Sequence, residues 1–446
     1  MEGLGVEPHE SNLNVGLTKG CRGQHEQVVC LQPHKRPIKR EMDLGELDKV
    51  QPKMWMQTLY AFENKEHEIG FMNEGKLVWA LTRALSHVPI LTGNLEGSKV
   101  KLPGKGGWFC SQIAKTSFQA AKNDNFNYEV MGSEYIFRKA TACMLDEPES
   151  APLFAAKATY FDCGSLLLAV SVSRIVADIY SVYEFMKLWA GGDGTLVDSR
   201  QLLKPAAPLL QQPIKPEVGI VVPIGESRGK VRLVNISINH AKLRKAKNTA
   251  NYALGENWIS TKDMICAGIW RALTRARKLP KDATTRIRRP VNIRPTLKLS
   301  PSTFANLTLN VTTEPMSVEH FLNKPIREIA LSIRTAAATL SPECIRNHIA
   351  TVPCRNTPPA HSFQFRKDMD VSDYSHFNLN LIDFQHSPSL ICHSGFVAEG
   401  LLVIYPGYCH LGISQRDCPT FLEDHELDKL GLIASVAQGY FATSSL

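Results

Sequence analysis

An almost unbroken apolar run, Ser165 to Val172, gives way abruptly to Ser173, Arg174, Ile175, Val176, Ala177 and Asp178. Such a junction delivers a hydroxyl, a guanidinium and a carboxylate to the edge of a core, where pockets form. Arg174 has the most definite chemistry of the three. A guanidinium stays protonated at any working pH, so it cannot accept a proton from a substrate. In a dry cavity it can hold a carboxylate, or polarise a carbonyl and stabilise the negative charge that develops there. The alternative is structural: Arg174 pairs with a nearby acid and closes a dead site. Ser173 is too weak a base to act alone. The histidines are scattered, His87, His240, His348, His376 and His386 among them, and a lone histidine is more often a satisfied surface or core group than a catalyst.

The elements that must position these groups are legible in part. With 446 residues the chain is long enough for two domains, each able to bury a full core. Residues 1–25 are polar and without periodicity, a loose leader. Leu77, Val78, Leu81, Ala84, Leu85 and Val88 recur at helical spacing until Pro89 ends the pattern. The 165–172 run has the length of a strand buried on both faces, and Val182, Phe185, Met186 and Trp189 return to helical spacing after it. Pro205, Pro208, Pro213, Pro216 and Pro223 exclude a long helix or a central strand from 191–225, which reads as a crossover linker. It separates an N-terminal domain, 26–190, from a C-terminal domain, 226–446. The second half opens with a strand, Val231 to Ile238, and a helix from Thr261 to Lys278 announced by Ser260, Thr261 and Asp263. A helix over Val318 to Leu340, paired strands at Leu401 to Ile404 and Cys409 to Ile413, and a closing helix from Asp424 to Phe441 complete an α/β pattern.

Composition narrows the function. Hydrophobic residues make up 43% and charged residues 21%, the balance of a soluble globular chain, and no stretch reaches the length of a membrane span. The first 30 residues lack the order of a signal peptide, so the expected compartment is the cytosol. Eleven cysteines, with no CxxC pair and no Cys/His cluster, imply neither a disulfide framework nor a metal site. A net charge of +8, spread along the chain, lacks the clustered basic and aromatic pattern of nucleic-acid binding.

The segment from Ser173 to Ile179 resembles the HHxxxDG signature of the BAHD acyltransferases, most closely the fungal branch that includes the trichothecene acetyltransferases. Other segments follow the family's order. Leu44 to Asp48 is similar to its LSxxD opening and HVPILTGNL, His87 to Leu95, to its YPxLAGRL-type turn. Ser260, Thr261, Asp263, Ala267, Trp270, Arg271, Ala276 and Arg277 resemble its STNDxLxAxxWRxxxRAR helix. Val291 to Arg294 stands for VDxR, Phe304 to Asn306 for FGN, and Asp383 to Ser387 for DFGWG. The resemblance implies two similar chloramphenicol-acetyltransferase-like α/β domains with mixed sheets, joined by a long crossover linker and enclosing a tunnel. Acyl-CoA would enter one side and an acceptor the other. The chain would work as a monomer on a hydrophobic small molecule of specialised metabolism.

In that family the motif's histidine is the general base, and this chain has Arg174 there; the family's glycine is Ile179. The resemblance makes Asp178 a structural carboxylate and pairs Asp383 with Arg294. It also places His376, just after the family's TSW position, on the tunnel wall, as the histidine able to replace the lost base. Three functions follow. One is an enzyme without a histidine base, closing or rearranging a ring by carbonyl polarisation at Arg174 and by shape, with no cofactor required. Another is acyl-CoA transfer to a substrate-assisted acceptor. The last is a non-catalytic binder of a metabolite.

Overall fold

A computed structural model describes residues 28–123, 126, 152–200, 231–255, 257–351, 366–386, 388–390, 392–394 and 398–436. The leader and most of the expected linker lie outside these residues. Two mixed sheets form the framework. The first runs in the order Val29–Leu31, Gly107–Ile113, Phe154–Tyr160, Leu166–Ser173, Trp55–Phe62 and Cys392–Ser394. Its fourth strand, LLLAVSVS, is buried at every position, as its largely apolar character requires. Its last strand comes from the second half of the chain and pairs antiparallel with Trp55–Phe62. The second sheet runs Thr308–Thr312, Ile287–Asn292, Met369–Asp373, Leu401–Tyr405, Tyr408–Ser414, Val231–Ile238 and Leu432–Val436.

Helices cover the sheets for local reasons. Glu74–His87 starts where the Asn73 side chain accepts from Gly75 and Lys76, and it buries Leu77, Leu81, Ala84 and Leu85. Thr261–Ala276 begins with a capping box in which Ser260 and Asp263 satisfy each other's backbone N–H. It is the central helix of its half: Trp270 packs on Phe321 with ring centroids 4.2 Å apart and donates to Thr285 Oγ1. A single core cluster reaches across both halves, joining Val172, Phe185 and Trp189 to Phe304, Tyr374 and Tyr405.

Two expectations need correction. The helix expected over 318–340 is two helices, Val318–Asn323 and Ile326–Ala338, because Pro325 lacks the N–H that a continuous helix needs. The expected closing helix is a short one, His425–Lys429, followed by the strand Leu432–Val436; Gly431, at φ 76°, makes the turn between them. A helix at His240–Leu254 was not anticipated, since its basic sequence buries only Leu243, Ala250 and Asn251. Among the described residues no helix is long and apolar enough to cross a membrane, and no group of side chains could hold a metal ion.

Candidate active site

The strand Leu166–Ser173 ends at the boundary between the two halves. Leu153 O accepts from Ser173 N at 3.0 Å and Met54 O from Arg174 N at 2.8 Å, so both neighbouring strands hold the turn. Asp178 then caps the helix Ile179–Trp189, its Oδ1 accepting from Ser181 N at 2.8 Å. Arg294, from the second half, grips the same carboxylate with both terminal nitrogens, at 2.9 and 3.0 Å. Leu307 N and Thr308 Oγ1 add bonds of 2.8 and 3.0 Å to Oδ2. Burial pushes the Asp178 pKa up, but the Arg294 pair and these donors more than offset it and hold the group below the usual carboxylate range. Ile179, where the resemblance has a glycine, opens the helix without the positive φ that would require one.

This geometry corrects the pairing of Asp383 with Arg294. Arg294 also donates to Thr303 O, Ala305 O, Ser181 Oγ and Asn292 Oδ1, which leaves its fork no capacity for a second acid. Asp383 instead accepts from Gln385 N at 2.9 Å. Its segment crosses to the first half, with Phe384 edge-on to Phe62 and Trp189 and His386 Nδ1 2.9 Å from Glu68.

Arg174 is treated differently. Its Nη1 donates to Ala177 O at 3.1 Å and to Asn306 Oδ1. Asn306 in turn donates to Asp48 Oδ1 at 2.7 Å and to the carbonyls of Arg174 and Ile175. Asp48 is shared with Arg200, whose Nε binds Asp198 at 2.7 Å. Arg174 therefore leans on an amide and a carbonyl, and among the described residues it forms no ion pair. Its Nε and Nη2 have no bonding partner there. Arg174 as a whole is buried, 7% exposed. Burial lowers the Arg174 pKa, opposed by Asp178, Asp48 and Tyr374, and a guanidinium remains charged all the same.

Beside the helix Ile179–Trp189 lies a cavity of about 410 Å³, whose lining includes Tyr180, Tyr183, Lys262, Arg289, Asp373 and His376. Lys262 Nζ is 2.6 Å from Asp373 Oδ2 and 2.5 Å from His376 Nε2. Burial, Lys262 and Arg289 push the His376 pKa down against Asp373, which favours the neutral imidazole. Its acceptor nitrogen, however, already faces the Lys262 ammonium. Arg289 and Arg334 converge on Asp263 behind the wall, and the charged groups that line the cavity are Lys262 and Arg289 with Glu184 and Asp373. The sequence reading missed Lys262 and Arg289 as site residues. Lys262 stands between the helix-start residues Thr261 and Asp263, and Arg289 follows Arg286 and Arg288 along a strand, so neither position stands out locally.

A family model described as "Transferase family" matches residues 25–397. The chain belongs to that family. Among curated proteins the chain is similar to the O-acetyltransferase dmxR13 of Cryptosporiopsis sp. (strain 8999), 24% identical over 242 residues, 49% of this chain and 52% of the relative. The chain thus matches about half the length of that curated relative. Among solved structures, F. sporotrichioides TRI101 complexed with coenzyme A and T-2 has a TM-score of 0.72 at 15% identity, covering 90% of this chain and 100% of that one. Vinorine synthase has a TM-score of 0.69 at 14% identity, covering 92% and 98%. These likenesses establish the two-domain fold of the Transferase family, with its mixed sheets, for this chain.

Proposed function

We propose that this member of the Transferase family moves an acyl group from a CoA thioester to a hydrophobic small molecule of specialised metabolism, as a monomer in the cytosol, without a base at position 174. One observation carries the reading: a buried guanidinium at the interface of the halves spends only Nη1 on Ala177 O and Asn306, and among the described residues its Nε and Nη2 edge has no hydrogen-bond partner. A fixed cation in that position favours the negative charge that gathers on a thioester oxygen as it is attacked, and a single such donor is worth about 10²–10³ in rate. The nucleophile bonds to the carbonyl carbon, the C–S bond breaks, and the departing thiolate takes up the proton the acceptor releases. His376 can carry that proton only after Lys262 turns away from Nε2, so the acceptor's own acidity does the larger share. The donor side is supported by the coenzyme A in the F. sporotrichioides TRI101 complex. Lys262 and Arg289, which line the 410 Å³ cavity, are the cations there that would face phosphates.

The same edge can polarise a carbonyl for ring closure or rearrangement of a bound intermediate, and the inability of Arg174 to take a proton favours this second reading. Incubation with acetyl-CoA and a panel of acceptors separates the two. Thiol release by the wild type that falls at least tenfold in Arg174→Ala supports acyl transfer. If Arg174→His releases thiol and the wild type does not, the base-free reaction is favoured. Unchanged turnover in Arg174→Ala removes Arg174 from the chemistry under both.

A further inference from the structure

The half-used guanidinium also constrains the acceptor. Both N–H groups on Nη1 are spent on Ala177 O and Asn306, which among the described residues leaves Nε–H and the adjacent Nη2–H without a partner, side by side as a fork. A fork of this kind fits two oxygens carried by one carbon, the arrangement it recognises in a carboxylate. Attack of an oxygen nucleophile on a thioester carbonyl produces that same pair on the reacting carbon: the former carbonyl oxygen and the incoming one. Neither oxygen needs to present a hydrogen to Arg174, and both gain from its charge.

We infer that the acceptor is an acidic hydroxyl, a phenol or an enol, that meets the Arg174 fork as its anion and is acylated on oxygen rather than on nitrogen. This deepens the acyl-transfer reading and rests on it. An amine acquires positive charge as it attacks and presents N–H to a guanidinium that offers only N–H, so the site opposes it. An aliphatic alcohol keeps its proton where no base stands beside it. A phenol or enol needs no base, because the cation itself favours the deprotonated form. The surroundings suit a planar anion. Tyr374 lies within electrostatic reach of the guanidinium and belongs to an aromatic group with Phe377, at 5.3 Å, and Tyr405, at 5.4 Å.

The charged groups around Arg174 do not cancel its pull on a ligand at the Nε and Nη2 edge. Asp178 has both oxygens filled by Arg294, Ser181, Leu307 and Thr308. Asp48 reaches Arg174 only through the Asn306 amide and is itself paired with Arg200.

Two measurements test the acceptor class. In the first, thiol release from acetyl-CoA is followed with phenols of graded acidity, an aliphatic alcohol and a primary amine of similar size. Rates at least tenfold higher for phenols than for alcohol or amine are expected, with the preference weakened in Arg174→Lys, which keeps the charge but not the fork, and lost in Arg174→Met. Equal or better use of the alcohol or amine overturns the inference while leaving acyl transfer in place. In the second, 4-nitrophenol is titrated with protein without any acyl donor, at a pH below its own pKa, and the yellow phenolate absorption is read. A fall of about one unit in the bound pKa, tenfold in phenolate fraction, is expected for the wild type and not for Arg174→Met. If no acceptor releases thiol yet phenolate is bound, acyl transfer fails alone. If the wild type leaves the phenolate fraction unchanged, the anion site does not exist.

Discussion

Arg174 and Arg294 stand at the same interface, are both buried, and are used in opposite ways. Arg294 has its guanidinium saturated by a carboxylate, two carbonyls, a hydroxyl and an amide. Arg174 spends one nitrogen on the protein, and among the described residues its Nε and Nη2 have no hydrogen-bond partner. The first arrangement has no capacity left for a ligand and therefore serves the fold. The second bears the desolvation of a charge without recovering it in full, which a protein tolerates where the missing partner arrives from outside. Residue type alone does not separate the two roles; the number of filled donors does.

The sharpest test removes each in turn. Arg294→Met leaves Asp178 buried with its charge uncompensated and is expected to lower stability by about 3–5 kcal/mol in a denaturant titration. Because the folded pKa of Asp178 lies below its unfolded value, its contribution is complete above the ordinary carboxylate pKa of about 3.9 and is lost as the pH falls through the folded value. The stability gap between wild type and Asp178→Asn should therefore be full at neutral pH and narrow only under acid conditions. A gap that instead widens as the pH falls would remove the Arg294 clamp as the cause.

Arg174→Met is expected to cost less in stability, about 1–3 kcal/mol, since it leaves Asn306 and Ala177 O short of a donor but strands no charge. Its turnover should fall by about 10²–10³. If Arg174→Met were the more destabilising of the two and turnover survived, the contrast between them would be reversed.

A smaller effect tests the segment that replaces the second motif. Gln385 adopts φ 64°, a left-handed conformation that disfavours a side chain. Gln385→Gly should raise the unfolding midpoint, equivalent to about 0.5–1 kcal/mol. The smallest concerns His376. Its imidazole should titrate below the ordinary 6.5 in a proton NMR experiment, and Lys262→Met should raise that value part of the way, because burial persists. An unchanged titration in Lys262→Met would mean that the close contact does not persist in solution.

Much of the frame was legible because its signals are local. The strand before Ser173, the cap at Ser260 and Asp263, and the hairpin from Leu401 to Ser414 follow from apolar runs and capping residues within a few positions. The site was legible as a set of residue types and not as a set of contacts. Asp178 and Arg294 are separated by 116 positions, and Asp383 is the nearer acid in sequence, so choosing between them needed the fold. Lys262 and His376, 114 positions apart, gave no sign of their contact.

The chemical identity of position 174 was settled by the sequence: a side chain with a permanent charge and no acceptor atom cannot be a base, whatever surrounds it. Whether that charge is a plug or a working group was decided only by the tertiary structure. Hydrogen-bond capacity is a property of one residue, whereas how much of it is used depends on which distant groups the two halves bring within about 3 Å of it.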